Sequence, residues 1–254
     1  MRAHADRTAE WPRVVAFGGG AGLRQLFGGL VAFGNRGGGD RSDRLTAVVG
    51  VSQREVRVDA VSAQGVVETI DTITLDADTA AGGETRSLRL RRPPRPVPEL
   101  IRRIVNADVI VVGPGSLYTN VLPALVGPGV ASTIAAVNAV RVYVANLMTE
   151  PGETEGMDLA GHLDAIAAHA GVNLFDYALV NRRRINRPLI GPYCGGSARP
   201  IVSTSIRWPI TTIERELAAT DISGRILHDR FDLGDAILEL AYAGRPPASA
   251  RLAS

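Results

Sequence analysis

The chain has 254 residues, of which 45% are hydrophobic, with 28 Gly, 15 Pro and a single Cys194; that is enough apolar material for one full core and excludes an intrinsically disordered chain or a disulfide scaffold. All 28 basic residues are Arg, which removes every lysine mechanism (Schiff base, P-loop lysine, lysine general base), and against 26 acidic residues they leave a net charge of only +2, too little for a global nucleic-acid-binding surface. No stretch approaches the ~18 consecutive apolar residues of a membrane span, and the first residues lack the apolar heart of a signal peptide, so the expectation is a cytoplasmic protein without membrane or nucleic-acid partners.

Residues 1–12 read as a disordered polar tail. Arg13-Val-Val-Ala-Phe17 is a short buried strand running into Gly18-Gly-Gly-Ala-Gly22, after which Leu23, Leu26, Phe27 and Leu30 recur at helical spacing. Beyond a glycine-rich loop over 33–43, Leu45-Thr-Ala-Val-Val-Gly-Val51 predicts a second buried strand and completes a βαβ unit. Val56, Val58, Ala60, Val66, Val67, Ile70 and Ile73 show strand spacing around Gln64-Gly65 and predict a half-exposed hairpin. From Thr85 to Arg103 seven Arg stand against one Glu, a solvated basic surface without interleaved aromatics, and prolines keep the chain extended until a helix begins near Pro98.

The α/β rhythm then returns, with strand Asp108–Val112, helices Thr119–Leu125 and Ala131–Asn138, strand Arg141–Ala145, helix Asp158–Ala170 and strand Tyr177–Val180. A Gly/Pro-rich loop, a strand Pro200–Val202, closing helices near Thr211–Ala219 and Asp232–Ala243, and a frayed tail over 244–254 complete the pattern. The sum is one doubly wound α/β domain over 13–243 with a hairpin insertion.

In such sheets the ligand crevice lies beyond the carboxyl ends of the strands, and three loops with unusual chemistry fall there. Gly18, Gly19, Gly20 and Gly22, followed by Leu23, let backbone N–H groups approach a phosphate at a helix N-terminus; the same run also serves as a plain tight turn. It matches neither the dinucleotide fingerprint nor the P-loop. Gly113, Pro114 and Gly115 deliver Ser116, Thr119 and Asn120 to a helix start, where they either bind an anion or cap the helix. Asn146, Met148, Thr149, Gly152, Glu153 and Thr154 form a polar loop suited to ribose or sugar hydroxyls, or to a metal through Glu150 or Glu153; alternatively Glu153 and Thr154 begin the following helix.

Together the runs 18–23, 107–123 (Ala-Asp-Val-Ile-Val-Val-Gly-Pro-Gly-Ser-Leu-Tyr-Thr-Asn-Val-Leu-Pro) and 142–156 (Val-Tyr-Val-Ala-Asn-Leu-Met-Thr-Glu-Pro-Gly-Glu-Thr-Glu-Gly) resemble the gluconeogenesis-factor (YvcK-like) branch of the 2-phospho-L-lactate transferase (CofD-like) superfamily. The resemblance implies a Rossmann-like three-layer α/β/α domain with a mostly parallel sheet. It further implies a regulator of carbon metabolism and cell shape that binds a uridine-diphosphate (UDP) sugar. The alternative is a phospholactyl transferase using a guanosine-diphosphate (GDP) donor and Mg2+; a third is a shortened, non-binding interaction module. No resident cofactor is assigned, and a homo-oligomer is expected. Two departures stand out. Ala21 replaces the family's usual threonine, and Val51-Ser52-Gln53-Arg54 leads straight into the hairpin where the family carries an Asp-Asp-Gly-Gly-Ser-Ser-Gly loop.

Other candidates read more plainly. His162 and His169, seven apart on one helix, lack metal-ligand spacing and read as surface or helix-end residues. His228-Asp229 reads as loop capping rather than an acid/base pair, and Ser116 stands in no nucleophile elbow. Arg182-Arg-Arg184 either meets a diphosphate or solubilises the surface.

Overall fold

The structure is a computed structural model that describes residues 11–36, 44–52, 55–61, 67–74, 76–79, 85–89, 98–127, 129–151, 153–185, 198–203 and 206–244, with only the backbone described for the strands between 50 and 89. Strand β1 (Val14–Gly18) is buried along its whole length. It feeds α1 (Gly20–Arg36), whose buried stripe of Leu23, Leu26, Phe27 and Leu30 is the one its spacing predicts. Strand β2 (Leu45–Ser52) returns parallel to β1, with Val14 opposite Leu45 and Gly18 opposite Val49.

The expected hairpin is β3 (Glu55–Val61) and β4 (Val67–Thr74); both join the main sheet antiparallel beyond β2. Its turn at Gln64-Gly65 lies outside the described residues, as do Gln53, Arg54 and Cys194. A separate pair, β5 (Asp76–Thr79) and β6 (Thr85–Arg89), follows, and α2 (Pro98–Val105) starts on its proline, where the missing N–H costs no helical bond.

Strand β7 (Val109–Val112) adds to the other side of β1. A π-helical turn (Leu117–Val121) runs into α3 (Leu122–Leu125), and α4 (Val130–Ala136), β8 (Val140–Val144), α5 (Leu159–Ala170) and β9 (Tyr177–Asn181) continue the alternation. The chain closes with β10 (Thr211–Arg215), the small pair β11 (Ala218–Thr220) and β12 (Ile226–His228), and α6 (Arg230–Ala243). Strand order in the main sheet is β10-β9-β8-β7-β1-β2-β3-β4, parallel from β10 to β2.

Side chains alternate across the sheet and give two cores. Val14, Ala16, Val109, Val111, Val142 and Val144 pack under α1 and α6. Val15, Phe17, Ile110, Val112 and Tyr143 pack under α2, α3, α4 and α5. This is the three-layer α/β/α architecture. At the amino end of β8 the Arg141 guanidinium makes a two-pronged pair with Asp176 (Nη2–Oδ1 2.8 Å, Nε–Oδ2 3.1 Å), both residues buried; removing one partner of such a pair costs about 3–5 kcal/mol. No single helix among the described residues is long and apolar enough to cross a membrane.

Three local expectations are corrected. Residues 211–219 are not a helix: Thr211, Thr212 and Ile213 are β-branched and pair with Tyr177–Leu179, because the edge of β9 offers unpaired backbone groups that a helix would leave unused. Residues 200–202 make only one isolated bridge, Pro200 opposite Met148, since a proline cannot donate to a ladder. The ordered chain begins before residue 13, with Trp11, 8% exposed, lodged in the α1/α6 core.

Candidate functional site

Strands β1 and β7 are neighbours, yet the chain leaves β1 toward β2 on one side and winds through β8 to β10 on the other. The carboxyl ends of β1 and β7 therefore flank a topological switch point, where a parallel sheet opens a crevice. Here the structure gathers all three predicted loops around one cavity of about 220 Å³.

Loop contact depends on missing side chains. A Cβ on Gly18 would stand 2.9 Å from the Pro114 carbonyl oxygen, and one on Gly22 2.9 Å from Pro114 Cγ, so these two glycines let the first loop lie directly on the second. Gly113 adopts φ +83° after β7, and a side chain there would strike the Val144 carbonyl. The Gly113–Pro114 bond is cis.

The second and third loops are tied by side chains. Gly115 N–H donates to Asn146 Oδ1 (2.9 Å), while Asn146 Nδ2 donates to Glu150 Oε1 (3.2 Å). Tyr118 N–H donates to Glu153 Oε2 (3.3 Å), and the Ser116 and Thr119 hydroxyls bond Glu150 and Glu153. Neither alternative of helix capping holds in detail. Ser116 makes no side-chain cap at the π-helical turn, and Asp158, not Glu153 or Thr154, caps α5 through Gly161 N–H (2.9 Å). Thr154 instead accepts from Glu150 N–H through its hydroxyl (2.8 Å) and folds the loop back on itself.

Of the predicted residues, Gly19, Gly20, Gly22, Pro114, Gly115, Ser116, Asn120, Asn146, Met148 and Thr149 line the cavity. Gly18, Leu23, Gly113, Thr119, Glu153 and Thr154 are not on its wall: Leu23 is buried in the α1 core, and the rest shape or tie the loops. Gly152 lies outside the described residues. Sequence reasoning gave Glu150 only a metal-ligand role and His228 only a capping one, yet both line the cavity. Only an acidic residue in a polar loop, and a histidine just before a final helix, signalled them.

The electrostatics are unusual for an arginine-rich chain. Among the described lining residues there is no Arg, and the single carboxylate is Glu150. Burial pushes Glu150 above the usual carboxylate range, with the Ser116 hydrogen bond opposing. Glu153 is raised by burial and by the Glu150 charge, against hydrogen bonds from Tyr118 and Thr119. Among the described residues no group of three or more His, Cys, Asp or Glu stands ready for a metal ion.

The remaining candidates lie elsewhere. Arg183 and Arg184 line a different cavity beside β11. His162 is fully buried, not a surface residue, because α5 turns that position inward with Leu159, Leu163 and Ile166; His169 Nδ1 meets the Ala165 carbonyl at 2.7 Å. Asp229 caps α6, accepting from Phe231 and Asp232 N–H.

Fold and crevice together define a Rossmann-like α/β protein with a cavity at its switch point. The chain belongs to the family described as 2-phospho-L-lactate transferase CofD, whose model matches residues 51–216. It is similar to the gluconeogenesis factor of Halalkalibacterium halodurans, 43% identical over 108 residues (42% of this chain, 34% of that one), and to that of Bacillus subtilis, 42% over 106 residues (42% and 33%). The chain thus spans about a third of the length of these curated relatives. A crystal structure of a UPF0052 family member from Bacillus halodurans shares the fold, with a TM-score of 0.63 and 21% identity over 89% of this chain and 99% of that one.

Proposed function

We propose that this chain is a cytoplasmic regulatory protein of the gluconeogenesis-factor type, which binds a nucleotide sugar and acts on carbon metabolism and cell shape. The observation that carries this reading is the convergence of the three loops on one cavity at the switch point. The N–H groups of the first glycine loop, at the N-terminus of α1, suit a diphosphate, which helix N-termini bind without cationic side chains. Asn146, Thr149 and Glu150 suit sugar hydroxyls. At about 220 Å³ the cavity is smaller than the ~300–1,000 Å³ of complete small-molecule pockets, so it takes the diphosphate and one adjoining ring while the base lies toward its open side. The name carried by the similar proteins supports the same reading.

The test is a thermal-shift series on the purified chain with uridine- and guanosine-diphosphate sugars, with and without magnesium. A saturable shift with a uridine compound, independent of metal, is expected, worth about 2.7 kcal/mol at a hundredfold excess over Kd. A guanosine shift that needs magnesium would replace this reading by the transferase reaction for which the family is named, and a flat response with a clean melt would leave a protein-interaction role.

A further inference from the structure

The residue at the end of β12 is placed for a task that neither capping nor packing accounts for. His228 is 4% exposed and forms part of the cavity wall. Its Nε2 stands 3.3 Å from the carbonyl oxygen of Ala145, the residue that follows β8. A carbonyl only accepts, so Nε2 carries the proton of the neutral ring and Nδ1 is left as a bare acceptor. Burial keeps the ring neutral, pushing its pKa down to about 4 against the pull of the Ala145 carbonyl. The backbone after it is held, since Asp229 N–H donates to Leu217 O (2.6 Å) and the Asp229 carboxylate caps α6.

Nδ1 has no protein partner among the described residues. It also differs from the other buried histidine: both ring nitrogens of His162 are sealed from solvent and unpaired, whereas Nδ1 of His228 is not among the sealed atoms. A neutral ring whose one proton is committed to the backbone has a lone pair to offer a ligand and nothing else. Such a group accepts from a hydroxyl or an N–H and gives no bond to a phosphate oxygen. Glu150, which also lines the cavity, is a second acceptor. The cavity therefore carries both kinds of group, N–H donors in the glycine loop and the side-chain acceptors His228 and Glu150.

We propose that His228 is a specificity-determining residue whose Nδ1 accepts a hydrogen bond from a hydroxyl of the ligand's sugar, while the diphosphate lies at the glycine loop. This rests on the nucleotide-sugar reading above.

Calorimetric titration of the full chain with UDP-glucose and with UDP, for the wild type, His228→Phe and His228→Asn, tests it. The wild type is expected to bind UDP-glucose more tightly than UDP. His228→Phe, which keeps a ring but no acceptor, is expected to lose about three- to tenfold for UDP-glucose and to leave UDP unchanged, the size of one neutral hydrogen bond. His228→Asn, whose Oδ1 takes the place of Nδ1, should recover part of that loss. Equal weakening of both ligands, or of neither, overturns the role of His228 and leaves the nucleotide-sugar reading standing. A wild type that binds neither ligand overturns both. As a check independent of variant stability, the Nδ1 nitrogen resonance of His228 in the wild type should move on adding UDP-glucose and stay in place with UDP; an unmoved resonance in the UDP-glucose complex also overturns the proposal.

Discussion

At the scale of single residues the two buried histidines differ in hydrogen bonding, one held by the Ala145 carbonyl and the other unpaired. His162 has no hydrogen-bond partner for either ring nitrogen, and its pKa is pushed down to about 4 by burial, partly offset by the Asp158 charge one turn away. An unpaired buried polar group costs about 1–3 kcal/mol, so His162→Leu is expected to raise the melting temperature at pH 7. The pH dependence follows from the direction of the shift. Between the ordinary value near 6.5 and the folded value near 4 the unfolded chain binds a proton that the folded chain refuses, so wild-type stability falls as pH drops through that window. The leucine variant should therefore gain more over wild type at pH 5 than at pH 7, as melts at the two pH values would show; a loss at both would mean that the imidazole is needed where it sits. His228, lowered in the same direction, keeps part of the acid sensitivity, whereas Glu150 and Glu153, raised by burial, oppose it. The hydrogen bonding of the two rings was not legible in the sequence, although the spacing of Leu159, Leu163 and Ile166 already puts His162 on the buried stripe of α5.

At the scale of elements, α1 carries glycines whose environments differ within the eight residues from Gly22 to Gly29. A Cβ at Gly22 would press on Pro114 at 2.9 Å, one at Gly29 would strike the Arg230 carbonyl of α6, and one at Gly28 would meet only Arg230 Cδ at 3.8 Å. Gly22→Ala and Gly29→Ala are expected to destabilise by about 1–3 kcal/mol through overpacking, and Gly28→Ala to stabilise by about 0.5–1 kcal/mol through helix propensity. Urea midpoints of the three variants check the sign change. Three losses would mean that α1 tolerates no added methyl on any side. Such an element shows what a sequence reveals. The β1–glycine–α1 unit, β7 and β8 were readable because apolar runs and glycine turns are local signals, and so was the meeting of their loops at one end of the sheet. Strand β10 was not, since Ile213 and Leu217 fit a helical spacing and only the free edge of β9 decides between the two. Nor was the partition within the loops, in which Glu150 reaches the cavity while Glu153 ties down Tyr118 N–H.

At the scale of the whole molecule the two cores share their strands, residue by alternate residue, so neither can be lost alone. The two tryptophans sit on opposite sides: Trp11 in the α1/α6 core, and Trp208 against the α5 core with its indole N–H donating to Asp164 Oδ1 (2.8 Å). Trp11→Phe and Trp208→Phe leave one reporter each. In both variants the urea transition seen by fluorescence is expected to coincide with that seen by far-ultraviolet circular dichroism. An earlier fluorescence transition on one side would show that layer opening by itself. The absence of arginine from the described cavity wall, in a chain with 28 of them, has a kinetic meaning. For the proposed nucleotide sugar, a described wall without cationic side chains predicts an unsteered association, on the order of 10⁵–10⁶ M⁻¹s⁻¹ and nearly indifferent to ionic strength. If the proposed ligand binds there, its selection against highly charged nucleoside triphosphates is expected to rest on shape and hydrogen bonding and not on charge.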